Sequence, residues 1–325
     1  MPRLGLLPAS RECIGAVSIL LLSVSSACER TEPAPGRKDT AIAVAPPPES
    51  AAVRPPPSTT WDSSAGPALF VAGQAPTEAT VILGAHADSA ALDTARFDVA
   101  NLRAIAIDLF TAGKRVGGAR VNAVGLPAHS DSCATWPVAT LNATNPDSTA
   151  PPPPWTVGFQ TGHAAEVALD SIEGLPSADS SRLAAEVARI ASALPGDTAA
   201  SFRGLPFVVT KAWRARALDR RVLVAIVVRN VNQEANPRQE RLLLVAERDT
   251  TTSPSPRFTA MYHERVSGLE ETIETTDLIA MVLLGAARRP TIVVTRDGAS
   301  GAAYTLLERV DGRWQRRWTS AYSGC

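Results

Sequence analysis

The chain has 325 residues, of which 45% are hydrophobic and 20% are charged, so most of it has the composition of a folded globular protein. Its 32 lysine and arginine residues are balanced by 32 aspartate and glutamate residues. This neutrality removes the general attraction to polyanions that nucleic-acid-binding proteins have. We therefore predict no nucleic-acid partner.

The amino terminus has the pattern of a secretory signal. Arg3 and Arg11 precede an apolar stretch from Cys13 to Val24, which is followed by three small residues. The apolar stretch is shorter than the roughly 20 residues that a helix needs to cross the hydrocarbon core of a bilayer. The pattern predicts a signal peptide over residues 1–27 and export from the cytoplasm.

The residues Val24-Ser25-Ser26-Ala27-Cys28 resemble the lipobox of bacterial lipoproteins. In that family the cysteine becomes the lipidated first residue of the mature protein, so the resemblance implies membrane anchoring through Cys28. The family usually has leucine where this chain has Ser25, and ordinary cleavage after Ala27 is the alternative. Glu29 differs from the aspartate that retains some lipoproteins at the inner membrane, which favours an outer-membrane location facing the periplasm.

The remaining cysteines predict a disulfide. If Cys13 leaves with the signal and Cys28 carries lipid, Cys133 and Cys325 remain as an even pair that can be oxidised outside the cytoplasm. Closing so long a loop stabilises a fold by at most about 5 kcal/mol. Free thiols and metal ligands are the alternatives. There is no CxxC pair, and zinc ligands usually cluster, so we predict no metal site and no cofactor.

Proline-rich segments divide the mature chain. Residues 28–66 contain eight prolines and few residues that a core would bury, which predicts an extended tether behind the lipid anchor. A second proline-rich segment at 145–154 separates a small β-rich region, 67–144, from the main region, 155–325. This segment is either a domain boundary or a long surface loop.

Apolar runs separated by turn residues predict short strands in both regions. Short connections are typical of antiparallel neighbours, and the turn at Gly113 predicts a hairpin. The predicted strands are 68–71, 80–83, 103–110, 116–124, 207–213, 222–228, 242–246, 258–266, 278–284, 291–295, 303–307 and 313–322. Even spacing predicts that Trp314, Trp318 and Tyr322 share one face of the last strand.

One helix is predicted at about 178–194, where Leu183, Val187, Ile190 and Leu194 form a single apolar stripe. Ser177 is its predicted N-cap. The predicted fold class is therefore a β-rich α+β fold, mostly antiparallel meander sheets with one amphipathic helix packed on a sheet.

The order of residues between Asp277 and Trp314 resembles one blade-type repeat of the integrin-like FG-GAP/VCBS β-propeller family. The resemblance implies a β meander with a binding role. Family members have a calcium loop rich in aspartate after the first strand, whereas residues 284–289 contain no carboxylate. We therefore predict no calcium site here, and a single repeat does not predict a propeller.

No common catalytic motif occurs, because GxSxG, HExxH, GxxxxGK[ST] and GxGxxG are all absent. Four histidines have a carboxylate nearby in sequence, but they identify no complete catalytic set and are interpreted as surface residues. The pairs are His86 with Asp88, His129 with Asp131, His163 with Glu166, and His263 with Glu264.

A carboxyl-terminal cluster combines arginines with Trp314 and Trp318, which in some proteins stack on bases or glycans. The favoured interpretation is structural, with the aromatics in the core and the arginines at the rim or paired with glutamates. The arginines concerned are Arg309, Arg313, Arg316 and Arg317.

The sequence favours a non-enzymatic binding or structural module of the cell envelope, with an unidentified protein or glycan partner. The alternative is an extracytoplasmic hydrolase with scattered catalytic residues, and no catalytic residue is assigned. At least two histidines converging with carboxylates in one pocket would favour the enzyme. An aromatic-lined site without such convergence would favour binding.

Overall fold

The computed structural model describes residues 60–87, 92–126, 134–143, 151–195, 199–232, 236–249 and 257–324. Cys28, Cys133 and Cys325 lie outside these residues, as do the predicted signal peptide and most of the predicted tether. No helix in the described part of the chain is both long and apolar enough to span a membrane.

The first six strands form a closed antiparallel barrel in the order β1-β2-β5-β4-β3-β6. They are β1 Ala68–Ala72, β2 Glu78–Leu83, β3 Ala106–Thr111, β4 Lys114–Gly125, β5 Val138–Ala143 and β6 Val157–Gln160. Because β6 pairs with both β1 and β3, the barrel contains strands from both sides of the proline-rich segment 145–154. The sequence did not predict this closure.

Aromatic and aliphatic side chains fill the barrel, including the fully buried Phe70, Phe110 and Phe159. Strands β3 and β4 form the predicted hairpin. Its two turn residues, Ala112 and Gly113, have positive φ angles of 51° and 100°. Positive φ at both central positions is the geometry that fits the twist of a two-residue hairpin.

Two five-stranded antiparallel sheets follow the barrel. The central sheet has the order β16-β15-β14-β13-β7, and the outer sheet has the order β12-β11-β10-β9-β8. Their strands are β7 Ala164–Glu166, β8 Leu169–Ser171, β9 Val208–Ala217, β10 Arg220–Val231, β11 Arg238–Asp249, β12 Thr259–Leu269, β13 Thr275–Leu284, β14 Arg289–Gly298, β15 Gly301–Val310 and β16 Arg313–Thr319.

The helix α1, Ser177–Ala193, packs on the outer sheet through the predicted stripe, with Leu183, Val187 and Ile190 buried. The predicted cap is wrong by one residue. Ser177 is already helical, and Pro176 occupies the N-cap position without a side-chain hydrogen bond. Proline has a fixed φ that suits a helix start, and it offers no side-chain acceptor.

Both faces of the outer sheet are covered, which explains the continuous apolar run in β10. Val222, Val224 and Ile226 pack towards the central sheet, whereas Leu223 and Val227 belong to the cluster beneath α1. Alternate residues of a strand point to opposite faces, so a run without polar residues requires burial on both sides.

The central sheet also has two apolar faces. Met281 and Ile292 pack with the outer sheet, whereas Val282, Val293 and Trp318 belong to the same apolar cluster as the barrel interior. The layers of the fold therefore follow one another in the order helix, outer sheet, central sheet and barrel, with an apolar cluster between each pair of layers. Across the residues described, the predicted β-rich architecture with antiparallel sheets and one helix is confirmed.

A β-bulge corrects the predicted face of the last strand. Trp314 packs between the two sheets, whereas Trp318 packs towards the barrel. In β16 the register shifts between Arg316 and Trp318, which leaves Arg317 as an extra residue. An extra residue reverses the alternation of side chains, so the prediction of a shared face is wrong.

Candidate functional site

A pocket with a volume of about 700 Å³ opens at one end of the barrel. We call it the barrel-mouth pocket. Its wall is formed by the start of β1, the ends of β2 and β6, the segment 60–66 before the barrel and the helical segment around Ala100–Leu102. Several chain segments that are distant in sequence therefore form one concave site, as is usual for small-molecule pockets.

Trp61 forms the aromatic wall of the pocket and is held by three contacts. Its indole Nε1 donates a hydrogen bond to the carbonyl oxygen of Gly66 at 2.7 Å. Its ring meets that of Trp318 edge to face, with centroids 4.8 Å apart. The ring also lies against Gly84, where a Cβ atom would come within 2.3 Å of it. Glycine at this position is therefore required for the approach of the ring.

His86 lies in the same wall and is surrounded mainly by aromatic rings. Its ring meets Phe97 edge to face, with centroids 5.2 Å apart, and Trp136 at 6.0 Å. Burial lowers the pKa of His86, against the opposing effects of a hydrogen bond to the backbone of Arg96 and the charge of Asp93. The imidazole is consequently neutral at pH 7, with one nitrogen able to donate and one able to accept.

Polar side chains line the remainder of the pocket. Arg96, Asp98 and Asn101 are exposed and Gln160 is half-buried. Arg96 pairs with Asp93 at 2.9 Å, so part of its charge is compensated locally. The pocket therefore combines an aromatic surface with amide, carboxylate and imidazole hydrogen-bonding groups and carries no large excess of either charge.

The other histidines do not converge on this pocket. His163 Nδ1 lies 2.7 Å from the carbonyl oxygen of Ser64, and His263 lies exposed on β12. Asp88, His129 and Asp131 lie outside the described residues. Of the described histidines, only His86 lines the barrel-mouth pocket.

Within the described ranges, no group of three or more histidine, cysteine, aspartate or glutamate side chains is arranged to hold a metal ion.

Part of the carboxyl-terminal cluster is structural, as the favoured interpretation predicted, whereas Arg313 is exposed. Trp314 and Trp318 are buried. Arg309 donates two hydrogen bonds to the carboxylate of Glu247, at 2.7 and 3.2 Å, and Trp314 Nε1 donates to the same carboxylate at 2.6 Å. These contacts connect the central and outer sheets, so Arg309 and Trp314 are occupied within the fold, and Trp318 Nε1 donates to the carbonyl oxygen of Gly84 at 3.0 Å.

The sequence-based prediction missed Trp61, the main aromatic residue of the pocket. Trp61 lies in the range 28–66, where prolines and small residues predict a tether. A tryptophan is unusual in such a segment because a tether offers no surface on which to bury it. The structure shows that Trp61 packs on Gly84 and Trp318 instead.

The fold and the pocket define a β-rich protein with a cavity at the mouth of a small barrel. Comparisons with known proteins assign this β-rich protein to no family. The sequence matches no protein-family model, no curated protein and no solved structure.

Proposed function

We propose that this protein is an exported binding module of the cell envelope, tethered by a lipid on Cys28, which holds a neutral glycan in the barrel-mouth pocket. The observation that carries the ligand class is the combination of Trp61 with the amide and carboxylate groups of Asn101, Gln160 and Asp98. Sugar rings present apolar C–H faces that pack on aromatic rings, and their hydroxyl groups bond to planar polar side chains.

The surroundings of His86 favour binding over hydrolysis. A hydrolytic site would be favoured by at least two histidines converging with carboxylates, whereas His86 is the only described histidine that lines the barrel-mouth pocket. A neutral imidazole in this position is suited to donating or accepting one hydrogen bond with a hydroxyl group.

The binding proposal is tested by titrating the protein with soluble N-acetylglucosamine oligosaccharides. Calorimetry and tryptophan fluorescence are expected to report saturable binding. Asn101→Ala removes one hydrogen-bonding amide and should weaken binding about five- to tenfold. Asn122→Ala, at an exposed site on β4 outside the pocket, is the matched control and should leave binding unchanged.

Two results would overturn this function. One is the absence of oligosaccharide binding by the unsubstituted protein. The other is equal binding by the unsubstituted protein, Asn101→Ala and Trp61→Phe, which would place the ligand elsewhere. Release of reducing sugar ends during the titration would support the hydrolase alternative instead.

The proposal of export is supported by a contact close to two of the cysteines. Ala134 and Gly324 form an isolated antiparallel bridge, in which each backbone N–H donates to the carbonyl oxygen of the other at 3.0 and 2.9 Å. Cys133 precedes Ala134 in sequence and Cys325 follows Gly324. The described neighbours of the two cysteines are therefore in contact, which supports the proposal of a disulfide between Cys133 and Cys325.

The disulfide is tested by alkylating the native, unreduced protein. We expect no label on Cys133 or Cys325 until a reductant is added. Rapid labelling of both thiols in the native protein would show that the disulfide does not form.

Lipidation is tested with Cys28→Ala, which should release the protein from the membrane and remove the acyl mass. Cys13→Ala is the matched control, because Cys13 leaves with the predicted signal peptide. An unchanged mass and membrane association in Cys28→Ala would contradict the anchor.

A further inference from the structure

Four arginines form a positively charged group on the outer sheet, on the face that also carries α1. Arg216, Arg221 and Arg248 are direct cross-strand neighbours on β9, β10 and β11. Arg214 lies two residues before Arg216 on β9 and therefore shares its face. We call these four residues the arginine row.

The arginine row borders a second cavity, with a volume of about 300 Å³. Arg214, Arg216 and Arg221 line it together with Asp170 and Phe258. It shares no lining residue with the barrel-mouth pocket.

Phe258 holds the fourth arginine at this cavity. The guanidinium of Arg248 lies over the Phe258 ring, 4.8 Å from its centroid. Stacking on an aromatic face restricts the orientation of a guanidinium and leaves its N–H edges available to a ligand.

The charge of the arginine row is poorly compensated. Asp170 is 3.5 Å from Arg214, and both side chains are substantially exposed, so this pair contributes little. Among the residues described, neither Arg216 nor Arg221 has an ion-pair partner. Like charges on directly opposed strand positions destabilise a sheet. The arginines of the row therefore repel one another, and a bound anion would reduce this repulsion.

The charges of the arginine row also act on one another. The pKa of Arg248 is lowered, first by burial and then by the charges of Arg221, Arg214 and Arg182, the last of which lies on α1. Glu186 of α1 acts in the opposite direction. Cations from the sheet and the helix thus act on the same site.

We propose that the arginine row binds a phosphate group. Guanidinium groups form paired hydrogen bonds with phosphate oxygens, and several arginines provide more donors than the two oxygens of one carboxylate can accept. A phosphate group can come from free phosphate or from the headgroup of an anionic phospholipid, and the two have this recognition chemistry in common.

The test uses the full chain carrying Cys28→Ser, so that no acyl chain anchors it. Inorganic phosphate is titrated by calorimetry, and vesicles with and without phosphatidylglycerol are tested by co-sedimentation at low and moderate salt. The double variant Arg216→Gln/Arg221→Gln should lose at least tenfold in affinity for whichever probe binds. Arg203→Gln/Arg313→Gln removes the same charge from exposed sites outside the row and should bind like the parent.

The experiments with vesicles and with inorganic phosphate distinguish a lipid headgroup from free phosphate as the source of the phosphate group. Binding to phosphatidylglycerol vesicles alone assigns the site to a lipid headgroup, and binding of inorganic phosphate assigns it to the free ion. Absence of both, or an equal loss in the two double variants, would overturn the proposal. A melting temperature at or above that of the parent would show that Arg216→Gln/Arg221→Gln is folded, because the substitutions relieve repulsion.

Discussion

The barrel and the pair of sheets are stabilised by different kinds of contact. The barrel interior is filled by apolar side chains such as Phe70, Phe110 and Phe159, and the buried Asp108 of β3 pairs with the exposed Arg115 of β4. The sheets contain buried ion pairs as well, including Arg229 with Glu240 within the outer sheet and Arg309 with Glu247 between the two sheets.

This difference has a consequence for stability. A closed barrel satisfies its backbone and packs its own interior, so its stability depends mainly on volume and shape. A buried ion pair contributes little net energy when intact, but removing one partner leaves an uncompensated buried charge. The two sheets should therefore be sensitive to single charge deletions, and the apolar interior of the barrel to changes in side-chain volume.

The largest expected effect is that of Glu247→Ala, which leaves Arg309 without its partner and Trp314 without an acceptor. We expect the free energy of unfolding to fall by about 3–5 kcal/mol. Denaturant unfolding monitored by circular dichroism measures this loss.

A second variant shows whether the loss comes from the unpaired charge. Glu247→Leu combined with Arg309→Met should recover much of the stability, because neither charge is then buried alone. In the barrel, Leu109→Ala should cost about 2–5 kcal/mol by leaving a cavity. If Glu247→Leu combined with Arg309→Met is as unstable as Glu247→Ala, the loss of stability does not come from an unpaired buried charge. The proposed difference between the barrel and the sheets would then be wrong.

An intermediate effect is expected at the barrel mouth. Gly84→Ala places a methyl group within 2.3 Å of the Trp61 ring, which must move. Overpacking of this kind usually costs about 1–3 kcal/mol, and displacement of Trp61 should also change tryptophan fluorescence and weaken oligosaccharide binding.

Gly174→Ala is the matched control for Gly84→Ala, because no atom lies within 4 Å of a Cβ built there. It should have little effect on stability and none on the fluorescence of Trp61. Identical behaviour of the two glycine variants would show that Trp61 does not pack on Gly84.

The smallest expected effect concerns Glu308 in the central sheet. Burial raises the pKa of Glu308, and this outweighs the opposite influence of Arg317 and Arg289, whose nitrogens are 3.5 and 3.7 Å away. The folded state therefore holds the Glu308 proton to higher pH than the unfolded chain does. Stability contributed by this residue is present in acid and is lost as the pH rises through the folded pKa.

Glu308→Gln keeps the shape of the side chain and removes the charge. At pH 7 we expect a small rise in melting temperature, of about 1–3 °C, and no rise at pH 4, where the native residue is largely protonated. Thermal unfolding at the two pH values provides the comparison. A loss of stability at pH 7 would show that the two arginines outweigh burial.

The features predicted correctly from the sequence are those set by local periodicity. Leu183, Val187 and Ile190 are spaced for one helical face, and they are buried on one face in the structure. The β3–β4 hairpin depends on a two-residue turn and was predicted for the same reason. Neither requires knowledge of distant residues.

The prediction of a shared strand face failed at a bulge. One extra residue at Arg317 places Trp314 and Trp318 on opposite faces. A bulge is selected by the packing of neighbouring strands and has no clear signature in the strand's own residues.

Sequence by itself determined the helix, most strands, the predicted export signal and the absence of common catalytic motifs. Only the tertiary structure decided the closure of the barrel by β6, the placement of Trp61 on Gly84 and the alignment of Arg216, Arg221 and Arg248. Periodicity reports which residues one element buries. Pockets and charge clusters instead depend on which elements become neighbours, and this is decided by the packing of the whole chain.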